Sequence, residues 1–157
     1  MNAGNIDPHK STIGGMDANL VALIAYIASA AVGFIPLLRY FAWLAPLVIF
    51  FMEKESGFVK FHAMQSFVLN LIGAAFGFVV SVLIGGAIAA ALGSRFANAA
   101  ALGFAGMIGL LTTVISLVIL AFAVIAMINA YKYNMYHIPL AGKAAENFIG
   151  RFESGRE

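Results

Sequence analysis

Between Glu55 and Glu146 the chain carries no acidic residue, and the cations in that interval are Lys60, Arg95, Lys132 and Lys143. A domain folded in water needs charge over its whole surface, so an interval this long and this poor in charge is not a soluble core. The runs on either side of Arg95 exceed the roughly 20 apolar residues that a helix needs to cross a bilayer. The chain therefore reads as an all-α integral membrane protein with the lipid bilayer as its first partner. The composition agrees, with 62% of the 157 residues hydrophobic and 10% charged. Cysteine is absent, which excludes disulfides, thiolate metal sites and thiol nucleophiles. A formal net charge of +2 is too small to imply a nucleic-acid partner.

Four apolar segments follow a polar, Gly-rich N-terminal tail over 1–16. The first runs from Leu20 to Leu38, with Asp17 as N-cap and Pro36 near its end. "IASA" at 27–30 has the look of a cleavage site, but the apolar run continues past it and no basic region precedes it, so the segment reads as a retained anchor. The second, Tyr40 to Met52, is short and contains Pro46, which fits a kinked span or half of a re-entrant hairpin. The third, from Lys60 to Leu92, would be about 50 Å long at 1.5 Å per residue, against a hydrocarbon thickness of about 30 Å, so its first turns belong in the headgroup region. "GSRFAN", Gly93 to Asn98, is the turn into the fourth, Ala99 to Ala130. The membrane domain then covers 17–133 and a C-terminal tail covers 134–157. Leu140, Ala144, Ala145, Phe148, Ile149 and Phe152 give that tail the spacing of an amphipathic surface helix.

Four crossings put Lys10, Lys54, Lys60, Lys132, Lys143, Arg151 and Arg156 on one side, leaving Arg39 and Arg95 on the other. Both termini are expected to be cytoplasmic. Lys54, Lys60 and Lys132, with Tyr131 and Tyr133, are the orientation and interface anchors.

The third segment is the most informative. Gly73, Gly77, Ser81, Gly85, Ala89 and Gly93 recur at four-residue intervals and form a small-residue ridge. Such a ridge lets helix backbones approach in lipid, either inside the protomer or between copies. His62, Ser66 and Asn70 lead into it at the same spacing. Gln65 lies beside them, and Asn129 stands at a similar depth on the fourth helix. An unpaired amide in hydrocarbon is costly, so these five residues are expected either to share a hydrogen-bonded helix network or to dock a partner.

The stretch "KESGFVKFHAMQSF", with "APLVIFFM" before it and "YKYNMYHIPLAG" after the fourth helix, resembles a bacterial family of small membrane proteins of unknown function. That family is related to the twenty-kilodalton Tic component of the chloroplast inner-envelope import apparatus. The residues that carry the resemblance are Pro46, Lys54, Glu55, Phe58, Val59, Phe61, His62, Ala63, Gln65, Tyr136 and Pro139, within a match from about Ala45 to Leu140. The resemblance implies four transmembrane helices and a multi-pass protein of the bacterial cytoplasmic (inner) membrane. It implies a task only weakly, because a shared fold does not transfer one.

No set of acid, base, nucleophile or metal ligands recurs at catalytic spacing, so no enzyme and no cofactor is expected. The predicted spans contain no carboxylate to carry a coupling ion. Two functions remain. One is a scaffold or accessory subunit of a membrane complex, with other membrane subunits as partners and a relation to protein translocation that the resemblance implies. The other is a homo-oligomeric passive channel or transporter for ions or small solutes.

Overall fold

The computed structural model describes residues 6–93 and 99–155. The expected turn residues beyond Gly93, including Arg95, lie outside the described residues. The elements are α1 (Ala18–Gly33), a 3₁₀ segment (Leu38–Leu44), α2 (Ala45–Met52), α3 (Gly57–Gly93), α4 (Ala99–Tyr131) and α5 (Ala141–Ser154). Among the described residues there is no β-strand. Of these helices, α3 and α4 are long and apolar enough to cross a membrane, whereas α1 and the 38–52 run are shorter.

The first apolar segment is therefore shorter as a helix than expected. It stops at Gly33, and the chain turns through Phe34–Leu37, where Pro36 has no N–H to offer and Leu37 adopts φ 70°. Pro46 sits in the first turn of α2, where its missing N–H breaks no helical bond, so it starts a helix instead of kinking one. Asp17 caps α1 by position, but its carboxylate pairs with Lys10 Nζ at 2.7 Å. The turn between those two residues has both Gly14 and Gly15 at φ +64°, a conformation that glycine adopts without strain.

The residues group into two units: the chain up to Leu71 together with Phe122 onward, and residues 72–121. Both tails thus fall in the first unit with α1, α2, α5 and the inner ends of α3 and α4. Its core is unusual for a helix in that Phe61 to Ser66 are all buried, on every side of α3. Ala18, Val21, Ala22 and Tyr26 of α1, Ala126 and Ala130 of α4, and Ile138 close around Phe58 and Val59. Phe50 of α2 and Ala145 of α5, with the partly buried Ile149 and Phe152, close around Phe61 and Met64. Part of the apolar face of α5 is thus spent on protein, through Ala145, Ile149 and Phe152, whereas Ala144 is open. Phe148 and Leu140 remain exposed.

In the second unit, residues 73, 76, 80, 84, 87 and 91 form a stripe of reduced exposure, while most other positions are open. The alternation of three- and four-residue steps averages the 3.6-residue turn, so this stripe stays on one side. The small-residue ridge does not. A strict four-residue step drifts about 40° each time, so the ridge leaves the stripe after Gly73 and winds around the helix. Gly77, Ser81, Gly85, Ala89 and Gly93 are exposed, and a Cβ added at Gly77, Gly85 or Gly93 would meet nothing within 4 Å. Packing of the ridge inside the protomer is not what these residues show.

Candidate functional site

The end of α4 determines what His62 and Gln65 can reach. Tyr133 takes a left-handed φ of 59°, its N–H donates to Ala130 O at 3.1 Å, and Asn134 N–H donates to Asn129 O at 2.9 Å. This pair of bonds is a Schellman termination, normally made with glycine at the position Tyr133 holds. A side chain there costs roughly 1–2 kcal/mol. The Tyr133 ring offsets that cost by stacking on Phe58, with centroids 5.6 Å apart. Tyr133 is thus turned toward Phe58 and partly buried, whereas the other expected anchors Tyr131, Lys132 and Lys54 are exposed. Lys60 Nζ donates to Lys54 O at 2.9 Å and closes the charged loop on itself.

The termination delivers the backbone of 134–138 against α3. His62 Nε2 donates to Asn134 O at 3.3 Å. A carbonyl can only accept, so the ring hydrogen is on Nε2, and Nδ1 accepts from Tyr26 O–H at 3.1 Å. The same tyrosine oxygen accepts from Gln65 Nε2 at 2.8 Å. Gln65 Nε2 also donates to Tyr136 O at 3.0 Å, and its Oε1 accepts from Ile138 N–H at 3.1 Å. Three side chains and three backbone groups therefore close one network joining α1, α3 and the segment after α4. His62, Gln65 and Ser66 are 0% exposed. A partner docking directly on them is excluded in this conformation.

Below this level Ser66 Oγ donates to Ala25 O at 2.9 Å, and Asn70 Nδ2 donates to Ser66 O at 2.8 Å. Ala25 O is the helical acceptor that Ser29 would ordinarily use, and Ser29 Oγ is left buried without a partner. Asn129 was expected to join the network through its amide and does not, because its Nδ2 donates to Ile125 O of its own helix at 2.8 Å. It contributes its main-chain carbonyl to the α4 termination instead.

A second polar cluster holds the N-terminal segment. Glu53 is 2% exposed. Its Oε1 accepts from the Thr12 hydroxyl at 2.8 Å and from the N–H groups of Lys54, Glu55 and Ser56 at 3.0–3.1 Å, while Ser11 Oγ donates to Oε2. Burial alone would raise the pKa of this acid; the hydrogen bonds from Ser11, Ser56, Thr12 and Glu55 outweigh it and hold it down at about 2. Ser56 Oγ caps α3 by accepting Val59 N–H at 3.2 Å. Since His9 Nδ1 must donate to Asp7 O, His9 Nε2 accepts from Ser56 O–H at 2.7 Å. With Ile6 N–H donating to Tyr133 O at 2.9 Å and Asn19 Nδ2 to Tyr131 O at 2.9 Å, the N-terminal segment, the loop before α3 and the end of α4 meet at one end of this unit. These are the segments that charge counting puts on one side of a membrane.

Gly142 seats α5. A Cβ there would lie 2.9 Å from both Gln65 Oε1 and the His137 backbone, so only glycine permits this approach. His137 pairs with Glu146 at 2.8 Å. Among the described residues no three His, Asp or Glu side chains gather as a metal-binding group. Tyr26 and Gly142 were not singled out from the sequence. Tyr26 had a signal, as a tyrosine in the middle of an apolar helix and in need of a partner for its hydroxyl.

A model of the magnetosome magnetite crystal formation protein family matches residues 17–145. The His62 network lies wholly inside that match, whereas Ser11, Thr12 and His9 lie outside it. A UPF0132 membrane protein of Methanocaldococcus jannaschii is 26% identical over 142 residues, which cover 88% of this chain and 74% of the relative. No solved structure matches. Both matches support a small membrane-protein family, and neither carries the expected link to the chloroplast import component.

Proposed function

We propose, for a chain that belongs to the magnetosome magnetite crystal formation protein family, the role of a non-enzymatic scaffold or accessory subunit in a multi-pass assembly of the bacterial cytoplasmic membrane. The observation that carries this reading is the closed network of Tyr26, His62 and Gln65. The side chains with the most chemistry to offer use both ring nitrogens, the phenol and the amide to fix one element against another. A site built for turnover leaves such groups facing a substrate. The family's description concerns crystal formation, and a rigid membrane component of that process is the part this chain's structure supports. Cytoplasmic termini follow from the cation distribution. A part in protein translocation rests on the plastid resemblance alone.

The homo-oligomeric passive channel has one observation in its favour, the open ridge from Gly77 to Gly93. Affinity purification from native membranes in gentle detergent, with sizing and mass spectrometry, separates the two. The scaffold reading expects a reproducible larger complex with other membrane subunits. A homogeneous assembly of this chain alone that passes ions in liposomes would replace it with the channel.

A further inference from the structure

The limbs of the α1–α2 hairpin are short, and several contacts fix how deep the hairpin reaches. Asn19, in the first turn of α1, donates to Tyr131 O at the end of α4, so α1 starts level with that end. Six residues on, Ala25 O accepts from Ser66 Oγ. Near the far end of the hairpin Gly33 faces Ala42, a Cβ there lying 4.0 Å from the alanine methyl, and Trp43 stacks on Phe67 at 5.9 Å. Phe67 is ten residues beyond Gly57, about 15 Å along α3 at 1.5 Å per residue, whereas the hydrocarbon layer is about 30 Å thick. The 16 residues of α1 make about 24 Å and the eight of α2 about 12 Å.

The tip is built for lipid. Phe34 is 88% exposed and Leu37 80%, and Tyr40 and Phe41 are also mostly exposed. Such a cluster is unfavourable in water or among headgroups and is solvated by acyl chains. Its one charge, Arg39, donates to Tyr40 O–H at 2.9 Å and lies 4.9 Å from the centre of the same ring, so hydrogen-bonding and cation–π contacts are present within the tip itself. The reversal is tight enough to force Leu37 to φ 70°.

We infer that α1, the 3₁₀ segment and α2 form a half-depth hairpin that enters and leaves the bilayer on the face carrying the Glu53 loop, with residues 34–41 among the acyl chains of one leaflet. The inference rests on the membrane reading of the chain and replaces four crossings with two. The number of crossings stays even, so both tails remain on one side. The hairpin adds cross-section to a single leaflet, and its occupant is lipid.

The sequence has no cysteine, so single replacements report position directly. The full chain carrying Phe34→Cys, Leu37→Cys or, as an aqueous reference, Lys54→Cys is placed in sealed vesicles of each orientation and treated with a charged, membrane-impermeant maleimide. The reference is expected to react from one face only. Both tip cysteines are expected to react less than a tenth as much from either face, and fully once detergent is added. Reaction from the face opposite the reference would establish a full crossing, and reaction from the same face would put the tip in water; either overturns the inference. Tip cysteines that stay silent even in detergent would place the tip inside protein and overturn it as well. Failure of the membrane reading itself is distinguishable, because an alkaline wash would then release the whole chain from the vesicles.

Discussion

Two parts of α3 obey different rules. From Phe58 to Ser66 the helix is enclosed by protein, and its polar side chains choose their neighbours by hydrogen bonds. From Ile72 to Gly93 it is mostly open, and a narrow stripe is all that other residues shield. In the first part a single atom decides the fit; in the second, apolar character is nearly sufficient. Membrane helices combine these regimes because lipid rewards any hydrocarbon surface, while a buried donor or acceptor tolerates few partners.

The sharpest way to break this contrast is Gln65→Leu. It strands Tyr136 O, Ile138 N–H and a bond to Tyr26 in a dry site, and each orphan costs about 1–3 kcal/mol, so a loss of roughly 4 kcal/mol is expected in denaturant titration of the detergent-solubilised protein. Gln65→Glu, which keeps the acceptor that serves Ile138, should recover only part of it. Acid comes next. Glu53 has a folded pKa near 2 against an ordinary 4.5, so the unfolded chain takes up this proton first. The stabilisation is fully present above about 4.5 and disappears as pH falls toward 2, an effect on the order of 3 kcal/mol. Its measure is proteolysis within residues 6–16 as pH is lowered; Glu53→Gln should show the same release at neutral pH.

Two glycines sharpen the comparison further. Gly142→Ala drives a methyl against the His137 backbone and should cost about 2 kcal/mol, with protease sensitivity appearing in α5 before the rest of the chain. Gly77→Ala adds a methyl into open space and should change the stability of the isolated protomer by less than about 1 kcal/mol, on the favourable side through helix propensity. If Gly77→Ala instead weakens self-association measured by sedimentation in detergent, another copy covers the ridge in the assembly.

The two long helices were legible because the absence of charge over many residues is a property of the letters themselves. The sector holding His62, Gln65 and Ser66 was legible from spacing, but its direction was not. Polarity on a helix face says that a partner exists; here, besides the Tyr26 hydroxyl and Ala25 O, the partners are carbonyls and an N–H from 134–138, and backbone groups have no distinguishing letter. Asn129 shows the opposite failure, since any helical amide can satisfy itself on the carbonyl four residues back. Tyr133 in a glycine's conformation was invisible because its compensation, the stack on Phe58, bridges residues far apart in sequence. The four-residue ladder was legible as a pattern, but its departure from the shielded stripe was not, for a geometric reason: a regular interval in sequence drifts on a helix whose turn is 3.6 residues.

The partners of Gln65 are made late. Tyr136 and Ile138 follow it by 71 and 73 residues. At translation speeds of about 5–20 residues per second, the amide leaves the ribosome some 4–14 s before the groups that satisfy it. Through that interval the inner end of α3 is a polar helix face in search of a ligand, and water or the insertion machinery must occupy it. Completion of the His62 network is in that sense a timing device: the first unit closes only after nearly the whole chain has been synthesised, and a chain arrested after α4 would carry its least membrane-compatible surface uncovered.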